Sequence, residues 1–295
     1  MKKFTFVQRL VLALIPLGVE LVRLAEIIVK NVTINYRKMD ARWDSKFELK
    51  PGKWVFVPNN TAIELGREIK DDLQRRWKAP SYFYHLRDGG HVAALKSHLG
   101  KSRFIHVDIR DFFGSINRSR VTRALKGLYS YDEAREIANL STVRHPEGGE
   151  RRFILPYGFV QSTLLASVCL RKSALGNFLK RISVEDGVVV SVYVDDIVIS
   201  LNEPERAEEI FGDLKKSAEK SGFDLNEDKE QRPAERINAF NIELSQNSLQ
   251  VLPERWLRFL DAMRETDNVL RQLAILGYVD SVNPGQAAQL QVSAL

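Results

Sequence analysis

A chain of 295 residues with 44% apolar and 28% charged side chains has the length and composition of a folded globular protein, which excludes a disordered or fibrous one. The formal charge of +6 hides an asymmetry: residues 1–200 carry 33 basic and 21 acidic side chains, net +12, whereas residues 201–295 carry 11 and 17, net −6. A basic excess in the first two thirds suits a phosphate-backbone partner, with a plain solvated surface as the alternative.

In chain order, Met1-Lys2-Lys3 and the apolar stretch after it resemble a secretory leader, but Arg9, Glu20, Arg23 and Glu26 interrupt it. Residues 4–30 therefore read as one or two amphipathic helices bent at Pro16, without a membrane span, and the expected location is cytoplasmic. Residues 47–58 read as strand, Pro51-Gly52 turn and strand, with lysines near the tip. A helix is predicted from Thr61 to Lys78 with Thr61 as its cap, then a strand from Phe104 to Ile109, a helix from Arg118 and another over 131–139. Residues 153–158 lead into a single apolar helix over 162–181, in which Cys169 reads as a small buried hydrophobe. As the only cysteine it rules out an intrachain disulfide and a Cys-rich zinc site, and it fits a reducing compartment. Gly187 to Leu201 carries the clearest strand signal, followed by a helix over 205–221, a polar turn at 226–229 and a hairpin over 237–252 through Gln246-Asn247. Two helices separated near Gly277 and a frayed end at 292–295 complete the chain.

Within the β-branched run of 187–201 sit Asp195 and Asp196, an unfavourable pair for a strand because Asp is depleted there and like charges repel. A solvated turn is the plain solution. The functional one is a hairpin that holds two carboxylates at its tip beside a third from the strand ending in Asp108. Mg²⁺ takes one or two protein carboxylates and completes its shell with water and phosphate oxygens. Two such ions about 4 Å apart activate an attacking 3′-hydroxyl and steady the leaving pyrophosphate. His85, His91, His98 and His106 fall close together, but their spacings of 6, 7 and 8 do not match zinc-site pairs, so they read as structural.

Three blocks carry a family resemblance: Phe104 to Ile116 (FIHVDIRDFFGSI), Leu155 to Ser162 (LPYGFVQS) and Tyr193-Val194-Asp195-Asp196. In order and separation they resemble reverse transcriptases, most nearly the bacterial retron-type and defence-associated branch, from about Lys50 to Gly277. The resemblance implies an α+β right-hand polymerase: N-terminal helices and fingers over 1–103, a palm with a split β-α-β antiparallel sheet over 104–235 carrying a finger insertion at about 118–160, and a small helical thumb over 236–295. It makes Asp108, Asp195 and Asp196 the metal ligands for two Mg²⁺ ions, with Mn²⁺ as a substitute, and adds the Ile109 carbonyl. Phe113 becomes an aromatic gate under the sugar, Lys229 a neighbour of the triphosphate, and Lys53 a loose match to a phosphate clamp. Tyr157, Gly158 and Gln161 fall in the nucleotide pocket, where the family's Leu-Pro-Gln-Gly reads Leu-Pro-Tyr-Gly; either Gln161 takes over part of the missing glutamine's role or the pocket has a different shape, with a different choice of nucleotide. A retron Val-Thr-Gly triplet is replaced by Phe240-Asn241-Ile242-Glu243, which favours the defence-associated branch.

The implied activity is RNA-directed DNA synthesis in antiphage defence. Its partners would be an RNA template, including a dedicated non-coding RNA, a DNA primer or product, dNTPs, and a companion defence protein or a second copy of the chain, with no membrane. Two alternatives stay open: untemplated or protein-primed synthesis, motivated by Tyr157, and a non-catalytic RNA-binding scaffold.

Overall fold

The computed structural model describes residues 42–148 and 152–294; the helices expected over 4–30 lie outside them. The chain divides into two compact units, one containing residues 42–77 and 117–162, the other 78–116 and 163–294.

In the first unit, β1 (Trp43–Lys50) and β2 (Lys53–Pro58) form the expected antiparallel hairpin, turning at Pro51-Gly52. Helix α1 spans Asn60–Arg76, and its cap is Asn59, not Thr61: the Asn59 side chain accepts from the Ala62 N–H. Ala62, Gly66, Ile69 and Leu73 form its buried stripe at helical spacing. After α2 (Gly90–Lys96) and β3 (Arg103–Asp108), both in the second unit, the chain returns to the first for α3 (Arg118–Leu125) and α4 (Tyr131–Ser141). A Ser130/Glu133 capping box starts α4. The short strands β4 (Val143–Arg144) and β5 (Phe153–Ile154) pair antiparallel, and Phe56, Val143, Ile154 and Phe159 form a core under Trp43 and Trp54.

The second unit is built on a four-stranded antiparallel sheet. The single helix expected over 162–181 is two, α5 (Ser162–Arg171) and α6 (Ala174–Ile182), because the Ser173 hydroxyl accepts from the Gly176 N–H and starts a new helix. Then come β6 (Val189–Tyr193), β7 (Asp196–Leu201), α7 (Pro204–Ser221) and β8 (Gln231–Ala234), giving the sheet order β6-β7-β3-β8. The hairpin expected over 237–252 is a three-stranded meander, β9 (Arg236–Ala239), β10 (Ile242–Ser245) and β11 (Ser248–Val251). Its additional turn lies at Phe240-Asn241, where both residues take positive φ (56° and 62°), as tight hairpin turns require.

Three helices follow rather than two: α8 (Pro253–Arg264), α9 (Val269–Val282) and α10 (Pro284–Ser293). Asn268 and Asn283 cap the second and third, Gly277 lies within α9, and the end expected to fray is helical to Ser293. Phe104 and Val198 from the sheet pack with Ile237, Leu244, Val251, Leu260, Val279 and Leu290 in one core that ties sheet, meander and helices together. Cys169 is buried, as its apolar surroundings suggested. No described helix is long and apolar enough to cross a membrane.

Candidate functional site

The second unit brings together three carboxylates from two chain segments. Asp108 ends β3 and Asp196 begins β7; the two stand opposite each other in the antiparallel ladder. Tyr193 and Asp196 close a two-residue turn made of Val194 and Asp195. Val194 takes φ 62°, a region that β-branched residues avoid and that glycine normally supplies at the start of such turns. Oxygens of Asp108, Asp195 and Asp196 all lie within 4.8 Å of one another, the only acidic, His or Cys trio close enough to share an ion among the described residues.

Each member is held separately. Asp108 is 4% exposed; its Oδ1 accepts from Asn226 Nδ2 at 3.1 Å and its Oδ2 from Lys229 Nζ at 2.8 Å, while its carbonyl accepts from the Asn226 N–H at 2.8 Å. The Asp195 carbonyl accepts from the Ile109 N–H at 3.0 Å, which ties the turn to the end of β3. Asp196 Oδ1 lies 2.9 Å from His106 Nε2. From the other side, the Val194 N–H donates to His85 Nδ1 at 3.0 Å, and His85 Nε2 lies 2.7 Å from the Ser167 hydroxyl. The shorter Val194 contact, rather than the 3.4 Å approach of the same nitrogen to the Val192 carbonyl, sets the tautomer and places the ring hydrogen on Nε2. Burial holds His85 neutral by lowering its pKa to about 4.

The electrostatics of the trio are those of an oxygen site short of positive charge. Burial first, then the charges of Asp196 and Asp108, push the Asp195 carboxyl up to about 6, with Lys229 opposing them. Burial works to lower the Lys229 ammonium, but the hydrogen bond to Asp108 and the charges of Asp108, Asp196 and Asp195 outweigh it and raise the pKa overall. Three converging carboxylates with this mutual repulsion fit a hard divalent cation, which prefers oxygen ligands.

The remaining expected residues divide between the units. Ile109 and Phe113 belong with the aspartates in the second; Phe113 follows β3, is buried, and meets Phe112 edge-on at 5.9 Å. Lys53, Tyr157, Gly158 and Gln161 belong to the first. Lys53 Nζ sits 4.3 Å over the Tyr157 ring, and the Tyr157 carbonyl accepts from the Phe56 N–H at 2.9 Å. Gly158 has φ 103°, and a Cβ there would stand 2.2 Å from the Phe56 carbonyl oxygen, so only glycine fits. Gln161 is buried; its amide donates to the Ser141 hydroxyl at 3.3 Å, while its carbonyl oxygen finds no partner among the described residues.

The four clustered histidines form no shared metal site among the described residues. His98 is buried between the Ser200 and Ser191 hydroxyls, and His91 lies among Tyr193, Phe240 and Tyr278. His85, His106, Asn226 and Gln231 were not anticipated as neighbours of the carboxylates. For His106 a signal existed: its i, i+2 relation to Asp108 puts both on one face of a strand. Asn226 stood in the same short turn as Lys229.

Among solved structures, the chain is similar to a foamy viral protease-reverse transcriptase in complex with double-stranded DNA, at 15% identity over 79% of this chain and 34% of that one, TM-score 0.45. It is also similar to the telomerase of Candida albicans in complex with a fragment of telomeric RNA, at 11% identity over 78% of this chain and 47% of that one, TM-score 0.47. The chain thus spans less than half the length of either. No curated protein sequence matches it. The family model described as reverse transcriptase (RNA-dependent DNA polymerase) matches residues 30–257. Because that match takes in well over half of the chain and all three clustered aspartates, the chain belongs to the reverse transcriptase family.

Proposed function

We propose that this protein is an RNA-directed DNA polymerase, a nucleotidyltransferase whose site is the Asp108, Asp195 and Asp196 cluster. The observation that carries the reading is the convergence of the three carboxylates within 4.8 Å. In this reading residues 1–103 and the insertion at about 118–160 are fingers, 104–235 the palm and 236–295 the thumb. The three aspartates and the Ile109 carbonyl hold Mg²⁺, with Mn²⁺ as substitute. The bound ions supply charge neutralisation and activation of the attacking hydroxyl.

The chain's own residues do the rest. Asp108 and Asp196 fix the site from two paired strands, so its geometry is set before substrate arrives. Lys229, bonded to Asp108 and 54% exposed along its side chain, is placed to move its ammonium to an incoming triphosphate. Phe113 acts as the gate against a ribose 2′-hydroxyl; Tyr157, Gly158, Gln161 and Lys53 are the further residues assigned to nucleotide binding. The partners are an RNA template, a DNA primer or product and dNTPs. The altered middle block and the absent retron triplet favour a defence-associated role in the cytoplasm, with a dedicated RNA and a companion protein or second copy.

Purified protein with an annealed RNA template and DNA primer is expected to extend the primer in Mg²⁺, and the Asp195→Ala, Asp196→Ala double variant to lose extension entirely. Extension that survives the double change rejects the site. One observation favours a second reading: the Tyr157 ring, stacked under Lys53, stands where the family has a glutamine. Sequenced products that are homopolymeric or random, rather than copies of the supplied RNA, would support untemplated or protein-primed synthesis.

A further inference from the structure

His106 and Asp108 leave β3 on the same face, and across the ladder Asp196 faces Asp108 while Val198 faces His106. Asp196 is thus the diagonal neighbour of His106, within reach of a long side chain. The imidazole is 3% exposed, with Nε2 2.9 Å from Asp196 Oδ1 and Nδ1 3.0 Å from Gln231 Nε2.

The direction of these bonds follows from the backbone of β9. Gln231 Oε1 accepts from the Asn238 N–H at 2.8 Å, and Gln231 Nε2 donates to the Asn238 carbonyl at 2.6 Å. A flipped amide would set oxygen against oxygen and N–H against N–H, so one orientation alone satisfies the peptide. Nδ1 of His106 therefore faces an N–H and accepts from it. That tautomer is neutral and carries its hydrogen on Nε2, aimed at Asp196.

We propose that His106 is a positioning residue for the polymerase site: its neutral Nε2–H holds one oxygen of Asp196 and leaves the other for a cation, and the Gln231–Asn238 pair selects the tautomer. The inference rests on the reading of the aspartate trio as a metal site. Asp108 is paired with a cation, Lys229, whereas Asp196 receives a neutral donor that fixes its orientation without cancelling its charge. Partners of metal-ligating side chains change metal affinity or activity by about 10-fold to 100-fold when removed.

The test is Mn²⁺ binding to the full chain, followed by electron paramagnetic resonance, together with the Mg²⁺ dependence of primer extension. His106→Phe keeps the bulk and loses the donor; it is expected to weaken Mn²⁺ binding by about 10-fold to 100-fold and to raise the Mg²⁺ concentration needed for half-maximal extension more than it lowers the rate at saturation. His106→Gln, which restores an N–H near the same position, is expected to recover most of the affinity. Gln231→Leu, which leaves His106 and Asp196 in place, is expected to fall between them, and it carries the comparison if His106→Phe does not fold. Unchanged Mn²⁺ affinity in the folded His106→Phe or Gln231→Leu variant, with only thermal stability lowered, overturns the positioning role. Equal Mn²⁺ binding by the wild type and the Asp195→Ala, Asp196→Ala variant sinks the metal-site reading instead, so the two failures are told apart.

Discussion

Asp195 is the residue in which the conflict between folding and chemistry is sharpest. Its carboxyl, pushed up to about 6 in the folded protein by burial and by Asp196 and Asp108, binds its proton more tightly folded than unfolded. The metal-free fold therefore loses stability as pH rises from about 4 to 6 and carries the full penalty above that. Asp195→Asn is expected to stabilise the metal-free protein at pH 7 by roughly 1–3 kcal/mol and to do little at pH 4, read by urea unfolding in a chelator. Adding Mg²⁺ to the wild type should raise its melting temperature more at pH 7.5 than at pH 5, and the variant should lose that increment. The aspartates themselves were legible because adjacent acids in a β-branched run violate strand propensity. For His106 only its place on the same strand face as Asp108 was legible; its bond to Asp196, and Gln231 altogether, were not, because they depend on which strand pairs with β3 and in what register. That information lies in residues about a hundred positions away, and no local pattern encodes it.

Individual elements show the same division. The strands of 47–58, 104–109 and 187–201 announced themselves by β-branching and turn residues; β4, β8 and the additional turn at Phe240-Asn241 did not, and helix ends were misplaced where an Asn or Ser cap interrupted an otherwise apolar or helical run. Ser173, Asn268 and Asn283 each start a new helix by accepting backbone N–H groups, a signal weaker in sequence than the apolar stretch around it. Two elements invite direct tests. Gly158→Ala should cost about 3 kcal/mol, since both its φ of 103° and the Phe56 carbonyl exclude a Cβ, and denaturant unfolding would report it. His98, fixed between serines of β6 and β7, has its pKa lowered to about 3 by burial. Depressed below the unfolded value near 6.5, it contributes stability that is present at pH 7 and lost as pH falls, about 2 kcal/mol by pH 5. His98→Gln should flatten the pH dependence of unfolding between 7 and 5 by that amount; an unaltered slope would reassign the acid sensitivity to other groups.

For the molecule as a whole, the charge asymmetry of +12 against −6 predicts how it meets its proposed partners. If six or more phosphates are contacted, binding to an RNA–DNA hybrid should weaken by about 10³-fold or more between 50 and 200 mM salt; a flat salt response would argue that the basic residues only keep the protein in solution. The sheet order β6-β7-β3-β8 also sets a timetable for the chain as it is made. The Gln231–His106 contact joins positions 125 residues apart. On a ribosome adding about 5–20 residues each second, Gln231 is synthesised roughly two to seven seconds after Asp196, so the amide that selects the histidine tautomer is the last of these groups to be made. A chain that ended before residue 231 would carry all three carboxylates and the histidine but lack the side chain that sets the ring's hydrogen towards one of them.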